Sequence, residues 1–385
     1  MKITEVRVYV VETKAMRPVI AEVMTDEGYT GAGEASVGFG TGCYAAAAMI
    51  YELAGAHLIG KNPENINAVW SEFYYGTFWG KGAGVIFYSA VSALEQALWD
   101  IKGKVLGVPV YQLLGGVCNT ELKVYANGWS EGVCETAQDF ARRAEKVAED
   151  GYDAMKLYPL SIVDPVRHLN VHHIGRNLSK ETIEKSVLAV KETRRAVGDD
   201  IDIMVDVTAE GAPSDMIKIA NAAAAYNPVW YEEATDPFDI DAMLQIRKSV
   251  SVPLAAGERL YTRYGFKRLM EKRLVDIVQP DPGTCGGLME AFRIASMAEA
   301  YQIKFAPHNC GGPVLTAVAI QLAACTGNFF ILEIFPYEPE LHYEIVNHAF
   351  EKEVCHGRLT VPKLPGLGVE LVHSVIHPFL VYTVK

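Results

Sequence analysis

Positive charge is scarce in this chain: 35 Lys and Arg stand against 47 Asp and Glu, a formal net charge of −12. No nucleic-acid partner is expected, because phosphate binding needs a basic face. An anionic small molecule stays possible, since a metal or a few local cations reverse the sign inside one cleft. Long apolar runs are missing as well. The stretch from Ala45 to Ile59 is broken by Glu52 and His57, too short and too polar to span a bilayer, so no membrane role is expected. Cysteine pairs spaced C-x-x-C are absent. The cysteines at 43, 118, 134, 285, 310, 325 and 355 are scattered and odd in number, which fits free thiols better than a disulfide framework or a zinc site. Met1 to Thr13 alternates polar and apolar residues, carries Glu5 and Glu12, and does not read as a signal peptide. A cytoplasmic location is the expectation.

What the chain has is core. Half of it is apolar and 21% is charged, the balance of a globular protein, and 385 residues suggest two or three domains. Ile3–Val11, Val19–Thr25 and Tyr29–Gly33 read as strands, with a turn at Asp26-Glu27-Gly28. Residues 43–115 read as mostly helical, and Val91, Leu94, Leu98, Ile101 and Val105 line one helix face before Gly107 and Pro109 end it. From Leu122 the texture changes to strand-then-helix units. The strands are Leu122–Asn127, Ala154–Tyr158, Ile201–Asp206, Val229–Glu232, Val252–Gly257, Val275–Gln279, Ile303–Ala306 and Phe329–Ile334. They are short and apolar throughout, as strands buried on both faces are, and eight of them in alternation with helices suit a closed parallel barrel. An open doubly wound sheet competes, but no G-x-G-x-x-G follows the first of these strands. The organisation expected is an α+β capping domain over 1–120, a barrel over 121–336, and a segment 337–385 that returns to the cap. The connection from Pro159 to Ser179, with His168, His172 and His173, is long enough for a lid or binding loop, or is a surface excursion.

Polar residues recur at the C-terminal ends of the barrel strands, where barrel enzymes carry their active sites. Lys156 and Tyr158 end the second strand, then come Asp206, Glu232, Glu258, Asp281, His308 and Glu333. The steps from Asp206 onward are 26, 26, 23, 27 and 25 residues, one βα unit each, so the side chains converge on one opening. Asp206, Glu232 and Glu258 would repel one another without a cation, and an all-oxygen set suits Mg²⁺, with Mn²⁺ nearly as good. Such a metal, with Lys156, would stabilise the enediolate formed when a proton leaves the carbon beside a carboxylate. His308 would be the base and Asp281 its orienting partner.

In this order the motifs resemble the enolase superfamily and, within it, the mandelate racemase subgroup. They are Thr25-Asp26-Glu27-Gly28 with Gly33-Glu34, and Ala97-Leu98-Trp99-Asp100-Ile101-Lys102-Gly103-Lys104 leading to Leu113-Leu114-Gly115-Gly116. They continue with Trp230-Tyr231-Glu232-Glu233, Gly257-Glu258, Gln279-Pro280-Asp281 with Gly286-Gly287, and Pro365-Gly366-Leu367-Gly368. The resemblance covers essentially the whole chain. It implies an α/β fold, a modified (β/α)₇β TIM-like barrel with an α+β cap, and Mg²⁺ on Asp206, Glu232 and Glu258. It also implies His308–Asp281 as acid/base and Glu333 as a hydrogen-bonding group at the substrate carboxylate. Two positions depart from the family pattern. Tyr158 stands where Lys-x-Lys members carry their second lysine, and it either transfers a proton, with Lys156 lowering its pKa, or hydrogen-bonds substrate. Asp206-Val207-Thr208 lacks the histidine that some sugar-acid dehydratases carry two positions after the metal aspartate.

The expectation is therefore a Mg²⁺-dependent sugar-acid dehydratase giving a 2-keto-3-deoxy acid. A racemase, epimerase or cycloisomerase on the same scaffold, and a non-catalytic sugar-acid binding protein, are the alternatives. By analogy, loops near Ala15–Pro18 and Ser36–Gly42 face the barrel mouth, Trp79 or the 159–179 loop can add to it, and the chain forms homo-oligomers.

Overall fold

Apolar alternation in the first strands becomes an antiparallel sheet. β1 (Ile3–Val10) pairs with β2 (Val19–Thr25), and β2 pairs with β3 (Thr30–Ala35). In this computed structural model, which describes residues 1–130, 133–163 and 177–385, the sheet packs under α1 (Cys43–His57), α2 (Ile66–Ser71) and α3 (Val85–Leu106), followed by the short α4 (Val110–Leu113). Val91, Leu94, Leu98 and Ile101 are buried on α3 as their spacing predicts, and Gly107, at φ 68°, ends the helix in the left-handed region open to glycine. β3 lies so close to α3 that a Cβ on Gly33 would meet the Ala93 carbonyl oxygen at 1.9 Å. That approach is why the strand is written Thr30-Gly31-Ala32-Gly33.

The barrel strands follow as β4 (Glu121–Ala126), β5 (Ala154–Leu157), β6 (Asp202–Asp206), β7 (Tyr231–Glu232), β8 (Leu254–Ala256), β9 (Ile277–Val278), β10 (Lys304–Phe305) and β11 (Leu332–Ile334). Their helices are α5 (Ala137–Glu149), α6 (Lys180–Val197), α7 (Pro213–Ala223), α8 (Ile240–Ser249), α9 (Thr262–Glu271), α10 (Leu288–Ala300) and α11 (Pro313–Cys325). All pairs along the sheet are parallel, β11 returns beside β4, and the ring closes where the Phe330 N–H reaches the Phe305 carbonyl at 2.8 Å. This is a (β/α)₇β barrel beneath a cap. Several strands are shorter than the apolar runs suggested. Pro228, Pro253, Pro280 and Pro307 flank them and remove the N–H groups that would extend the ladders.

Alternation along each strand builds the barrel interior. Tyr125, Ala154, Met204, Trp230, Ala255, Ile277, Ala306 and Ile331 form one buried apolar plug. Two residues further along the same strands stand Asn127, Lys156, Asp206, Glu232, Gln279, His308 and Glu333, on the same side one layer nearer the mouth. Only the β8 strand breaks step: Gly257, at φ 145°, takes the second place, and Glu258 turns inward one residue later.

After β11 the chain divides its pairing. β12 (Arg358–Thr360) joins barrel strand β4, and β13 (Leu380–Val384) joins β1 of the cap sheet, antiparallel in both cases. The barrel share of this segment was not visible in the sequence. Buried carboxylates tie cap to barrel. Glu34 accepts from the N–H groups of Gly312 and Leu315 at the start of α11, and Glu95 from those of Leu288 and Met289 at the start of α10. Asp100 accepts from Ala32 and Leu367 and pairs with Lys104 at 2.9 Å. These contacts account for the Gly33-Glu34 and Trp99-Asp100 motifs. Gly33→Ala is expected to destabilise the protein by about 1–3 kcal/mol, read as a lowered thermal midpoint, because the new methyl must push the α3 backbone away.

Candidate active site

Lys156 occupies the centre of the barrel mouth. Its side chain is 2% exposed, and its Nζ lies 2.7 Å from Glu232 Oε1, 2.9 Å from Glu333 Oε1 and 3.7 Å from Asp206 Oδ2. Burial opposes the ammonium charge, but Glu232 and Glu333 outweigh it and hold Lys156 well above its ordinary pKa. The lysine is a fixed cation.

Asp206, Glu232 and Glu258, on successive strands, present ligand atoms that all lie within 4.8 Å of one another. Burial, then the Glu232 charge, holds the Asp206 carboxyl well above the usual range despite Lys156. Glu258 is held below that range: burial would raise it, but Arg259, His308 and Lys156 prevail. The Trp230 indole N–H donates to Glu232 Oε2 at 2.7 Å, which explains the tryptophan of that motif. An acidic, all-oxygen set this compact fits a hard divalent cation, which would relieve the same repulsion that raises Asp206. These residues fit the metal.

Facing them is His308. Its Nδ1 lies 2.7 Å from Asp281 Oδ2, and its Nε2 lies 3.2 Å from Glu258 Oε2 and 3.9 Å from Glu333 Oε2. Burial alone would lower its pKa, but Glu333, Asp281 and Glu258 push it up to about 10. Asp281 also accepts from the Gly283 N–H at 2.7 Å and from the Ser36 hydroxyl of the cap at 2.7 Å. Glu333 accepts from Asn127 Nδ2 at 2.7 Å and the Asn309 N–H at 2.9 Å. Burial would raise Glu333, yet Lys156 and His308 bring it down to about 2, so here it is an acceptor and would need a proton to donate.

Every metal and acid/base residue expected from the strand ends therefore meets at one opening, except that Tyr158 has a different neighbour. Its hydroxyl donates to Glu210, on the loop after β6. The opening leads into a cavity of about 510 Å³. Ser36, Val37, Phe39, Gly40 and Thr41 of the cap line it, as does Arg259. Met16 sits beside the His308 loop, its sulfur 3.7 Å from Cys310 Sγ. Among the described residues Trp79 is not part of this lining; it is 76% exposed and edge-on to Phe78. Most of the 159–179 connection, with His168, His172 and His173, lies outside the described residues. Ser36 lies in the loop expected at the mouth, but its contact with Asp281 was not foreseen, and sequence reasoning missed Asn127 and Arg259. Asn127 alone was findable, one step beyond Tyr125 in the inward register. Among the described residues all the cysteines are free, and no helix is long and apolar enough to cross a membrane.

Comparison with known proteins gives the same arrangement a family. Residues 139–375 match the enolase C-terminal domain-like model, and residues 4–115 match the mandelate racemase/muconate lactonizing enzyme N-terminal domain. A D-galactonate dehydratase of Variovorax paradoxus is 33% identical, covering 98% of this chain and 95% of its own length. A D-gluconate dehydratase of Thermoproteus tenax is 32% identical over 83% of this chain, which spans only 62% of that relative's length. A solved structure from Mesorhizobium loti superposes with a TM-score of 0.94 at 40% identity, covering 100% of both chains. The chain belongs to the mandelate racemase/muconate lactonizing enzyme family of the enolase superfamily, and it is an enzyme of the hydro-lyase kind.

Proposed function

We propose that this protein dehydrates a sugar acid, an aldonate or aldarate, to the 2-keto-3-deoxy acid, with Mg²⁺ as its metal. The observation that carries the reading is His308 itself. One ring nitrogen is tied to Asp281 and the other faces Glu258 across the mouth that also holds Lys156. Relatives named for D-galactonate and D-gluconate support the substrate class. Asp206, Glu232 and Glu258 would hold the ion, which when bound draws negative charge off the substrate carboxylate.

The chain's own groups supply the rest. Lys156, buried and charged, is oriented to stabilise the second negative charge that develops on that carboxylate. His308 Nε2 takes the proton from the carbon beside it, with Asp281 fixing the Nδ1–H tautomer. The C–O bond to the β-hydroxyl then breaks. The same imidazolium returns a proton to the departing oxygen, and the enol left behind becomes the ketone. Tyr158, whose hydroxyl donates to Glu210, is given no proton transfer in this scheme.

Incubated with Mg²⁺ and a panel of aldonates and aldarates, the protein should release a 2-keto acid from one of them. Solvent deuterium entering the α-carbon with no keto acid would point to the isomerase reading instead. His308→Asn should lower kcat by about 10²–10⁴-fold with the fold intact. Tyr158→Phe should stay within about tenfold of the wild type; a loss as large as that of His308→Asn would put Tyr158 in the proton path.

Two further outcomes follow from the charges. Because its carboxylate neighbours raise His308, less of it is the free base at neutral pH, so kcat/KM should climb as pH rises through the neutral range. Asp281→Asn removes one of those charges and should move the climb to lower pH. Mg²⁺ at a hundredfold its Kd should stabilise the fold by about 2.7 kcal/mol, seen as a higher melting temperature that Asp206→Asn abolishes.

A further inference from the structure

The end of β3 reaches past the cap into the base's own support. Ser36 Oγ lies 2.7 Å from Asp281 Oδ2, the same oxygen that His308 Nδ1 approaches at 2.7 Å. The Cys310 carbonyl oxygen is farther from that hydroxyl, at 3.2 Å, so its single hydrogen goes to the carboxylate. The Ser36 backbone N–H donates to the Gly283 carbonyl at 3.1 Å, gripping the turn that carries Asp281. Two residues earlier Glu34 accepts from the N–H groups of Gly312 and Leu315, gripping the other flank of the His308 loop. The fit has no slack, because a Cβ on Gly283 would lie 2.6 Å from Ser36 Cβ. One short piece of the cap thus spans both loops whose relative position sets the imidazole.

We infer that Ser36 is a positioning residue for the base: it fixes the Asp281 carboxylate, and through it the direction of His308 Nε2. The inference rests on the proposed reaction for its kinetic consequence and on geometry for the rest. It makes the cap part of the proton-transfer machinery as well as a wall of the substrate cavity. A threonine offers the same hydroxyl, whereas an alanine leaves that oxygen of Asp281 with His308 alone.

The test compares Ser36→Ala and Ser36→Thr in the Mg²⁺-loaded full chain. With the substrate found by the acid panel, Ser36→Ala should lower kcat by about 10–100-fold, the size of one lost charge-assisted hydrogen bond. KM should stay within about twofold, the isotope effect on α-deuterated substrate should grow, and Ser36→Thr should recover most of the rate. A rise in KM with kcat unchanged, or an equal loss in both variants, overturns the inference. A second arm needs no turnover. The downfield Nδ1–H proton resonance of His308, identified by its loss in His308→Asn, should shift or broaden in Ser36→Ala and return in Ser36→Thr. If it is unmoved in Ser36→Ala, Ser36 does not position the base, whatever reaction the enzyme performs.

Discussion

A buried ammonium and the carboxylates around it hold this site together by mutual necessity. Lys156 could not keep its charge in the barrel mouth without Glu232 and Glu333, and those acids could not crowd so closely without Lys156. Each is the desolvation remedy of the others. The apolar plug one layer below keeps water from reaching the cluster from beneath, so these interactions act in a medium of low polarity. The chemistry proposed for the site uses that same low polarity: a cation placed beforehand where charge will develop need not reorganise during the reaction.

Position in this cluster follows from a rule as simple as the strand's two-residue repeat. A plug residue and its active-site partner share a strand and a face, Trp230 with Glu232 and Met204 with Asp206 among them. Packing the interior therefore aims the functional layer. Gly257 is the exception that repairs a mismatch, since its backbone, at φ 145°, admits the turn that brings Glu258 in line. The apolar core and the polar site are two storeys of one structure.

Much of this could be read from the chain because barrels impose regular spacing. Asp206, Glu232, Glu258, Asp281, His308 and Glu333 recur at one-unit intervals, and that rhythm implies a common mouth whatever the loops do. Contacts between distant segments left no such trace. Nothing in the local pattern says that Ser36 meets Asp281, that Asn127 steadies Glu333, or that Arg358–Thr360 would pair with the first barrel strand. Tyr158 has a partner that its sequence neighbours do not announce. Its place beside Lys156 in sequence suggested an electrostatic partnership, and its hydroxyl also reaches across to Glu210 on the neighbouring loop. Strand lengths were overread beside prolines: Pro253 sits inside its apolar run, and Pro228, Pro280 and Pro307 stand at the edges of theirs.

The pairing of β13 with β1 has a consequence for how the molecule comes into being. Among the described strands, β1 is made well before its partner β13 and must wait for it. Until then β1 has β2 on one side and an open row of N–H and C=O groups on the other, a surface prone to sticking to neighbouring chains. The barrel can begin to assemble sooner, since its strands neighbour one another in order of synthesis. The cap sheet thus closes along a seam between two strands that lie far apart in sequence.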